Sequence, residues 1–226
     1  MRIIALIPAR SGSKRIPHKN IKELGGNPLL VWSIDTALSL GLPTYVSTDS
    51  RLYAEIAERA GAMVIHRGGK AAHDDATDQA VMMDAMSKGL ECDRIIYLRP
   101  TTPFRDIGIV KQAVKLFDNI GGTGLRSVEE MSESAYKCVE KPGWYIEPLR
   151  GQPHGITDMP NHQLPVTYHP NGYVDIADMD ITKHGKLWGD RVIGYVTPRT
   201  TEIDTPEDWE RAEYEISHGR GLSSDR

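Results

Sequence analysis

The chain has 226 residues, of which 39% are hydrophobic and 26% are charged, a composition typical of a globular protein with one main domain. Its formal net charge of -4 excludes a general attraction to nucleic acids or anionic membranes, so any basic cluster must serve a local purpose. No apolar stretch approaches the roughly 20 residues of a membrane span, and the opening run is too short for a signal peptide. We therefore expect a cytoplasmic protein with neither a nucleic acid nor a membrane as its partner. The cysteines, Cys92 and Cys138, are far apart and are interpreted as small buried residues.

Short apolar strands alternate with amphipathic helices along most of the chain. The predicted strands cover residues 2–8, 44–48, 62–65, 94–98, 172–176 and 191–196, with a further strand that ends at Arg126. The predicted helices cover residues 27–40, 52–60, 75–88, 107–117 and 206–216. This alternation predicts an α/β fold with a mostly parallel twisted sheet and helices on both faces.

The alternation stops in residues 131–170, where prolines and glycines interrupt the pattern. The apolar side chains of this stretch, which include Trp144, Tyr145 and Ile146, are too few to form a core of their own. We interpret the stretch as an insertion into a single domain of residues 1–217 and expect it to pack against a second subunit in a homodimer. Residues 218–226 are polar and are predicted to form a flexible tail.

A basic loop follows the first predicted strand. It holds four cations among small residues, namely Arg10, Lys14, Arg15 and Lys19. A strand followed by a Gly/Ser-rich turn is where α/β proteins bind phosphate, because small residues let several backbone N–H groups converge on an anion. The turn of Ser11, Gly12 and Ser13 fits neither the P-loop nor the dinucleotide-binding pattern. Four positive charges would offset a triphosphate, whereas the alternative is a set of solvated surface cations.

Two carboxylates follow the last predicted strand. In an extended segment, Glu202 and Asp204 would project to the same face while Ile203 turns toward the core. Paired carboxylates suit Mg²⁺, which binds one or two of them together with phosphate oxygens and water. The alternative is that Asp204 caps the terminal helix. Beside a triphosphate loop we favour the metal site, with Asp204 as the more important ligand.

Five motifs along nearly the whole chain resemble those of the acylneuraminate cytidylyltransferases. They are IPARSGSKRIPHKNI (7–21), STDS (47–50), LRPTTPFR (98–105), HPNGYVDI (169–176) and EIDTPED (202–208). The resemblance implies a fold like that of the nucleotide-diphospho-sugar transferases and a homodimer formed through the insertion. It also implies an enzyme that joins CMP from CTP to a nine-carbon 2-keto sugar acid of the sialic or legionaminic type and releases pyrophosphate.

The resemblance assigns roles to residues at the nucleotide. It implies nucleotide contacts from Ala9, Arg10, Ser11, Gly12, Ser13, Lys14, Lys19, Asn20, Arg67 and Thr77, with the last two at the pyrimidine. It makes Arg10, Lys19 and Asp204 the catalytic groups, and Asp204 with Glu202 the Mg²⁺ ligands. The family usually has two aspartates at the metal, so Glu202 is a departure. Arg67 could equally be a loop cation, and Asp74, Asp75 and Asp78 could serve only to favour a helix start.

The candidate residues at the acceptor are Arg99, Thr101, Arg126 and Asn171. The resemblance implies a position near the acceptor for Arg99 and Asn171, whereas Arg126 is a candidate anion contact that could equally be a surface cation. Arg99 stands where the family has glutamine, and an arginine can bind a carboxylate or a phosphate in a bidentate fork. This departure leaves open a sugar 1-phosphate nucleotidylyltransferase of the same fold that uses another nucleotide such as GTP. A second alternative is a nucleotide-binding module without enzymatic activity.

Overall fold

The computed structural model describes residues 1–73 and 75–219. Asp74 and most of the predicted tail therefore lie outside the described residues. The strands are β1 (Ile3–Pro8), β2 (Glu23–Leu24), β3 (Asn27–Pro28), β4 (Thr44–Thr48), β5 (Met63–His66), β6 (Arg94–Tyr97), β7 (Gly124–Glu130), β8 (Val139–Glu140), β9 (Glu147–Pro148), β10 (Tyr168–Asp178) and β11 (Val192–Val196). The helices are α1 (Leu29–Ser39), α2 (Arg51–Arg59), α3 (Asp78–Ser87), α4 (Ile107–Ile120), α5 (Met179–Lys183) and α6 (Pro206–Ser217).

Seven strands form the central sheet in the order β11-β7-β10-β6-β1-β4-β5. β10 pairs antiparallel with both of its neighbours, and the other pairs in the sheet are parallel. The predicted mostly parallel sheet is confirmed. Among the described residues, no helix combines the length and the hydrophobicity needed to cross a membrane.

The core lies on both faces of this sheet because successive strand residues point to opposite sides. In β1, Ala5 and Ile7 pack with buried residues of α1, α2 and α4, whereas Ile4 and Leu6 pack with residues of α3 and α5. All four side chains are fully buried. A strand covered on both faces has a continuous apolar sequence, which is why the run after Arg2 predicted it correctly.

The structure differs from the sequence prediction mainly at element ends. α1 begins at Leu29, because Pro28 is extended (φ -54°, ψ 139°) and belongs to the short β2–β3 hairpin. β10 is longer than predicted and contains a bulge between Pro170 and Asp175, where Gly172 has a φ of +64°. Glycine adopts this conformation without steric cost, so the Asn171-Gly172 pair bends a strand.

The interrupted stretch contains a small hairpin, β8–β9, and three short 3-10 turns. Between the two strands Trp144 is 93% exposed and Tyr145 is 81% exposed, which is the apolar surface that the sequence predicted. Cys138 is also exposed, so the expectation that both cysteines are buried is wrong for this one. The proposed domain limits and the subunit contact stay predictions.

Candidate active site

The basic loop follows β1 directly, and its first residues lie beside the end of β4. Ala9 is fully buried and its N–H donates to the carbonyl of Ser47 at 2.9 Å. Farther along, Asn20 is buried and its Nδ2 donates to the carbonyl of Arg10 at 2.9 Å. Ile16 packs in a cluster with residues of α6 and the segment before it. The loop is therefore held at both ends and in the middle.

Asp49 shapes the turn of the loop, a role that the sequence analysis did not assign. One carboxylate oxygen accepts from the backbone N–H of Ser11 and the other from its hydroxyl, both at 2.8 Å. Gly12 and Lys14 remain exposed beyond this contact, and Ser13 is half-buried. The signal for Asp49 was available in principle, because β1 and β4 are parallel neighbours whose carboxyl ends meet at one edge of the sheet.

Lys19 joins the basic loop to Glu202 and Asp204, here called the acidic pair. Its Nζ donates to the carbonyl of Ile203 at 2.7 Å and to Oδ1 of Asp204 at 2.8 Å, and the residue is only 8% exposed. Ile203 is fully buried, whereas Glu202 and Asp204 are exposed, as the alternation predicted. Two motifs 184 residues apart in the sequence thus form one charged site.

The helix cap that could have explained Asp204 is made by other residues. Thr205 is the N-cap of α6, and its side chain accepts from the N–H of Asp208. The Asp208 carboxylate in turn accepts from the N–H groups of Asp204 and Thr205, which completes a capping box. The Asp204 side chain is therefore available for another role.

The two carboxylates of the pair repel each other. The pKa of Glu202 is raised, first by desolvation in its surroundings and then by the negative charge of Asp204. A cation between them would relieve this repulsion. No group of three or more His, Cys, Asp or Glu side chains suited to a metal occurs among residues 1–73 and 75–219.

The predicted base site contains a buried arginine and a helix cap. Arg67 is 8% exposed, and its guanidinium donates to the Ser47 hydroxyl at 3.2 Å and to the Ser47 carbonyl at 2.9 Å. Burial lowers its pKa. Arg67 is thus a buried loop cation, and its contact with a pyrimidine stays a prediction. Thr77 is exposed and caps α3 by accepting from the N–H of Ala80 at 3.2 Å.

At the predicted acceptor site, the two arginines differ in their partners. Arg99 donates to the carboxylates of Asp175 and Asp78. Arg126 makes no hydrogen bond to a described residue, and its Nε lies 3.7 Å from Oδ1 of Asp175. Arg126 is the third residue of β7, which corrects the expectation that it ends its strand.

Thr101 and Asn171 have mainly structural contacts. The Thr101 carbonyl accepts from the N–H of Ile203 at 2.7 Å, which ties the loop after β6 to the acidic pair. The buried Oγ1 of Thr101 has no hydrogen-bond partner. Asn171 is 2% exposed, and its amide group contacts Glu129, Thr197 and the N–H of Tyr173. A contact of either residue with an acceptor stays a prediction.

Arg105, the last residue of LRPTTPFR, holds this region together and was missed by the sequence analysis. Its guanidinium donates to the carbonyls of Tyr173 at 2.5 Å and Arg99 at 2.7 Å, and to the Ser33 hydroxyl at 2.9 Å. It thus connects β10, the loop after β6 and α1. Desolvation lowers its pKa.

Comparison with known proteins assigns the chain to a family. The sequence profile described as Cytidylyltransferase matches residues 4–140. The chain belongs to the cytidylyltransferase family. This stretch includes the basic loop and the LRPTTPFR motif, and the acidic pair lies beyond it.

Curated relatives of this cytidylyltransferase family member extend the match to most of the chain. The N-acylneuraminate cytidylyltransferase of Escherichia coli O18:K1:H7 is 31% identical over 96% of this chain and 51% of its own length. The CMP-N,N'-diacetyllegionaminic acid synthase of Legionella pneumophila is 31% identical over 92% of this chain and 94% of its own length. The chain thus spans about half the length of the Escherichia coli relative.

Solved structures show that the fold is shared more widely than the sequence. A CMP:2-keto-3-deoxy-manno-octonic acid synthetase in complex with CTP matches with a TM-score of 0.73 at 16% identity, covering 96% of this chain and 99% of that one. A glucose-1-phosphate thymidylyltransferase of Bacillus anthracis matches with a TM-score of 0.65 at 13% identity, covering 98% of each chain. At such identities the likeness establishes the fold.

In this family member the residue before Lys19 has an unusual backbone. His18 has a φ of 53° and is the one residue other than glycine with positive φ among residues 1–73 and 75–219. We expect His18→Asn to be near wild type, because asparagine tolerates this conformation. His18→Val should lower the free energy of unfolding by about 1–2 kcal/mol, since a branched side chain clashes with the backbone there. Urea denaturation measures the free energy of unfolding of both variants. Equal stability of His18→Asn and His18→Val would contradict the backbone strain expected for a branched residue at this position.

Proposed function

We propose that the protein transfers a cytidylyl group from CTP to a hydroxyl of a nine-carbon 2-keto sugar acid and releases pyrophosphate. The observation that carries the proposal is the Lys19–Asp204 ion pair, at 2.8 Å, which joins a phosphate-type loop to an acidic pair. The names of the Escherichia coli and Legionella relatives support the nucleotide and the class of acceptor.

The chemistry requires positioning and charge stabilisation. The acceptor hydroxyl forms a bond to the α-phosphorus, the bond to the β-phosphate breaks, pyrophosphate leaves, and the hydroxyl proton is released. Arg10, Lys14 and Lys19 would stabilise the negative charge that passes to pyrophosphate. A covalent nucleophile is unnecessary, and burial raises the pKa of the Cys92 thiol to about 11, which keeps it unreactive.

The proposed cofactor is Mg²⁺, held by Asp204 and Glu202. The donor set fits, because the exposed Glu202 and Asp204 flank buried Ile203, and the pKa of Glu202 is raised by desolvation and by the charge of Asp204. Mg²⁺ accepts such a pair and completes its coordination with phosphate oxygens and water. When bound, it would offset the charge of the phosphates. Lys19 would hold Asp204 in position through Oδ1.

The proposed homodimer would form through the insertion. Its hairpin exposes Trp144, Tyr145 and Ile146, which is a large apolar surface for a segment with so little core. A cleft of about 580 Å³ is lined by residues between Glu129 and Cys138 and by Arg199, Thr200 and Thr201, which directly precede Glu202 in the sequence. Sedimentation velocity at micromolar concentration should show a dimer, and Trp144→Ser should favour the monomer. A wild-type monomer throughout would contradict the proposal.

The function is tested by measuring pyrophosphate release from each nucleoside triphosphate with Mg²⁺. The acceptors are N-acetylneuraminate, N,N'-diacetyllegionaminate and glucose 1-phosphate. We expect release with CTP and a sugar acid. Release with glucose 1-phosphate alone would favour the sugar 1-phosphate alternative. Binding of CTP without release for any acceptor would indicate a nucleotide-binding module.

A further inference from the structure

A buried cluster of charges lies where β6, β10 and β7 run side by side. Asp175, on β10, is fully buried and pairs in register with Tyr97 of β6 and Arg126 of β7. Residues opposite each other in a sheet project to the same face, so the carboxylate lies between these two side chains. A carboxylate without access to water needs partners for both of its oxygens.

Arg99 satisfies one of these oxygens. Its Nη1 donates to Oδ2 of Asp175, and its Nη2 donates to Oδ2 of Asp78 at 2.5 Å. The Arg99 side chain is 18% exposed. Its positive charge is offset by two carboxylates, and two of its donors are already used, so little remains for an acidic group of a ligand.

The other oxygen of Asp175 has no hydrogen bond, and neither does the Nε of Arg126 that faces it at 3.7 Å. The terminal nitrogens of Arg126 make no hydrogen bond to residues 1–73 or 75–219, and its side chain is 32% exposed. Buried polar groups in native proteins are rarely left without a partner. Arg126 therefore has the donors and the exposure that Arg99 lacks.

The cluster borders the acidic pair. The loop that follows Arg99 is tied to the segment of Glu202 and Asp204, because the Thr101 carbonyl accepts from the N–H of Ile203 at 2.7 Å. Gly172, whose φ of +64° favours glycine, lies beside Arg99: a Cβ at this position would be 3.4 Å from Arg99 Cδ. An acceptor bound beside the acidic pair would thus meet this cluster.

We propose that Asp175 determines which arginine receives the acidic group of the acceptor, by holding Arg99 in an internal bridge and leaving Arg126 to bind that group. The inference rests on the proposed function and adds a specificity-determining residue to it. The ligand chemistry is an anionic sugar, whose charge comes from either a carboxylate or a phosphate. Arg99 then acts as a positioning residue.

Four variants test the proposal, by steady-state pyrophosphate release and by thermal stability. We expect Arg126→Gln to raise the KM for the acceptor at least tenfold and to leave the KM for CTP within twofold. The double variant Arg99→Gln/Asp175→Asn removes the Arg99–Asp175 bridge and keeps the net charge of the cluster unchanged, and its acceptor KM should stay within threefold of wild type. Asp175→Asn alone should lower the Tm, because Arg99 loses one carboxylate. Lys115→Gln, exposed on α4, is the control for loss of one positive charge.

Direct binding separates this inference from the proposed function. Isothermal titration calorimetry with N-acetylneuraminate and with glucose 1-phosphate shows which acid Arg126 binds. The affinity for the neutral sugar N-acetylmannosamine should be the same in wild type and in Arg126→Gln. If wild type binds an anionic sugar but releases no pyrophosphate with CTP, the proposed function fails and the binding comparison still decides the inference. The inference is overturned if the double variant loses as much affinity as Arg126→Gln, if Arg126→Gln loses none, or if wild type binds neither acid at millimolar concentration.

Discussion

Replacing Asp204 by asparagine is expected to reduce pyrophosphate release from CTP about a thousandfold, while the Tm changes little. The amide keeps an oxygen that can accept from Lys19, so the contact at 2.8 Å survives. The negative charge that would bind Mg²⁺ is lost, and removal of one electrostatic element of this kind costs a factor of about 10²–10³ or more. The measurement is kcat with saturating CTP and acceptor over a range of Mg²⁺ concentrations.

Two further variants test whether the loss of activity is specific to the Asp204 carboxylate. Glu207→Gln makes the same chemical change on an exposed residue in the first turn of α6 and should leave kcat unchanged. Glu202→Gln should have a smaller effect than Asp204→Asn, because only Asp204 is held by Lys19. Activity of Asp204→Asn above a tenth of wild type, or an equal loss in Glu207→Gln, would contradict the proposed metal site.

Lys19→Met is expected to reduce both stability and turnover. The substitution leaves the buried carbonyl of Ile203 without its donor and the Glu202–Asp204 pair without its cation. We expect a loss of about 2 kcal/mol in the free energy of unfolding, discounted for the half-exposed Asp204 side chain, and a Tm lower by about 4–8 °C. The kcat should fall by about 10²-fold, since the proposed role of Lys19 is to stabilise negative charge on the leaving pyrophosphate.

Calorimetry and pyrophosphate release measure the two effects of Lys19→Met separately. Lys115→Met, on the exposed face of α4, is the control for the loss of a lysine charge and should match wild type in both. A Lys19→Met protein with wild-type stability would show that the contacts of Lys19 are energetically neutral. Wild-type turnover in the same variant would remove Lys19 from the catalytic groups.

Most of the fold was predictable because its signals are local. The apolar run of β1 and the capping residues of α6 each occur within a short stretch of sequence, and the structure confirms both elements. The direction and length of β10 were not predictable in this way. Whether a strand runs parallel or antiparallel depends on which neighbours it pairs with, and the bulge at Gly172 hides its alternation.

In the candidate site, too, only the features that depend on local sequence were predictable. The exposure of Glu202 and Asp204 on either side of buried Ile203 follows from strand geometry and was predicted. The partners of Arg99 were not, because Asp78 and Asp175 lie 21 and 76 residues from it in the sequence. An arginine in a motif indicates a charge and gives no information about the carboxylate that offsets it.

The sequence by itself determined the α/β class, the cytidylyltransferase family and the residue types of the basic loop and the acidic pair, because each depends on local patterns that are read directly along the chain. The tertiary structure alone decided that Lys19 holds Asp204, that Asp49 binds the turn at Ser11, and that Arg99 is neutralised while Arg126 keeps its donors. Hydrogen bonds and ion pairs act over a few ångströms, so their partners are set by chain folding, which brings together residues that are distant in the sequence.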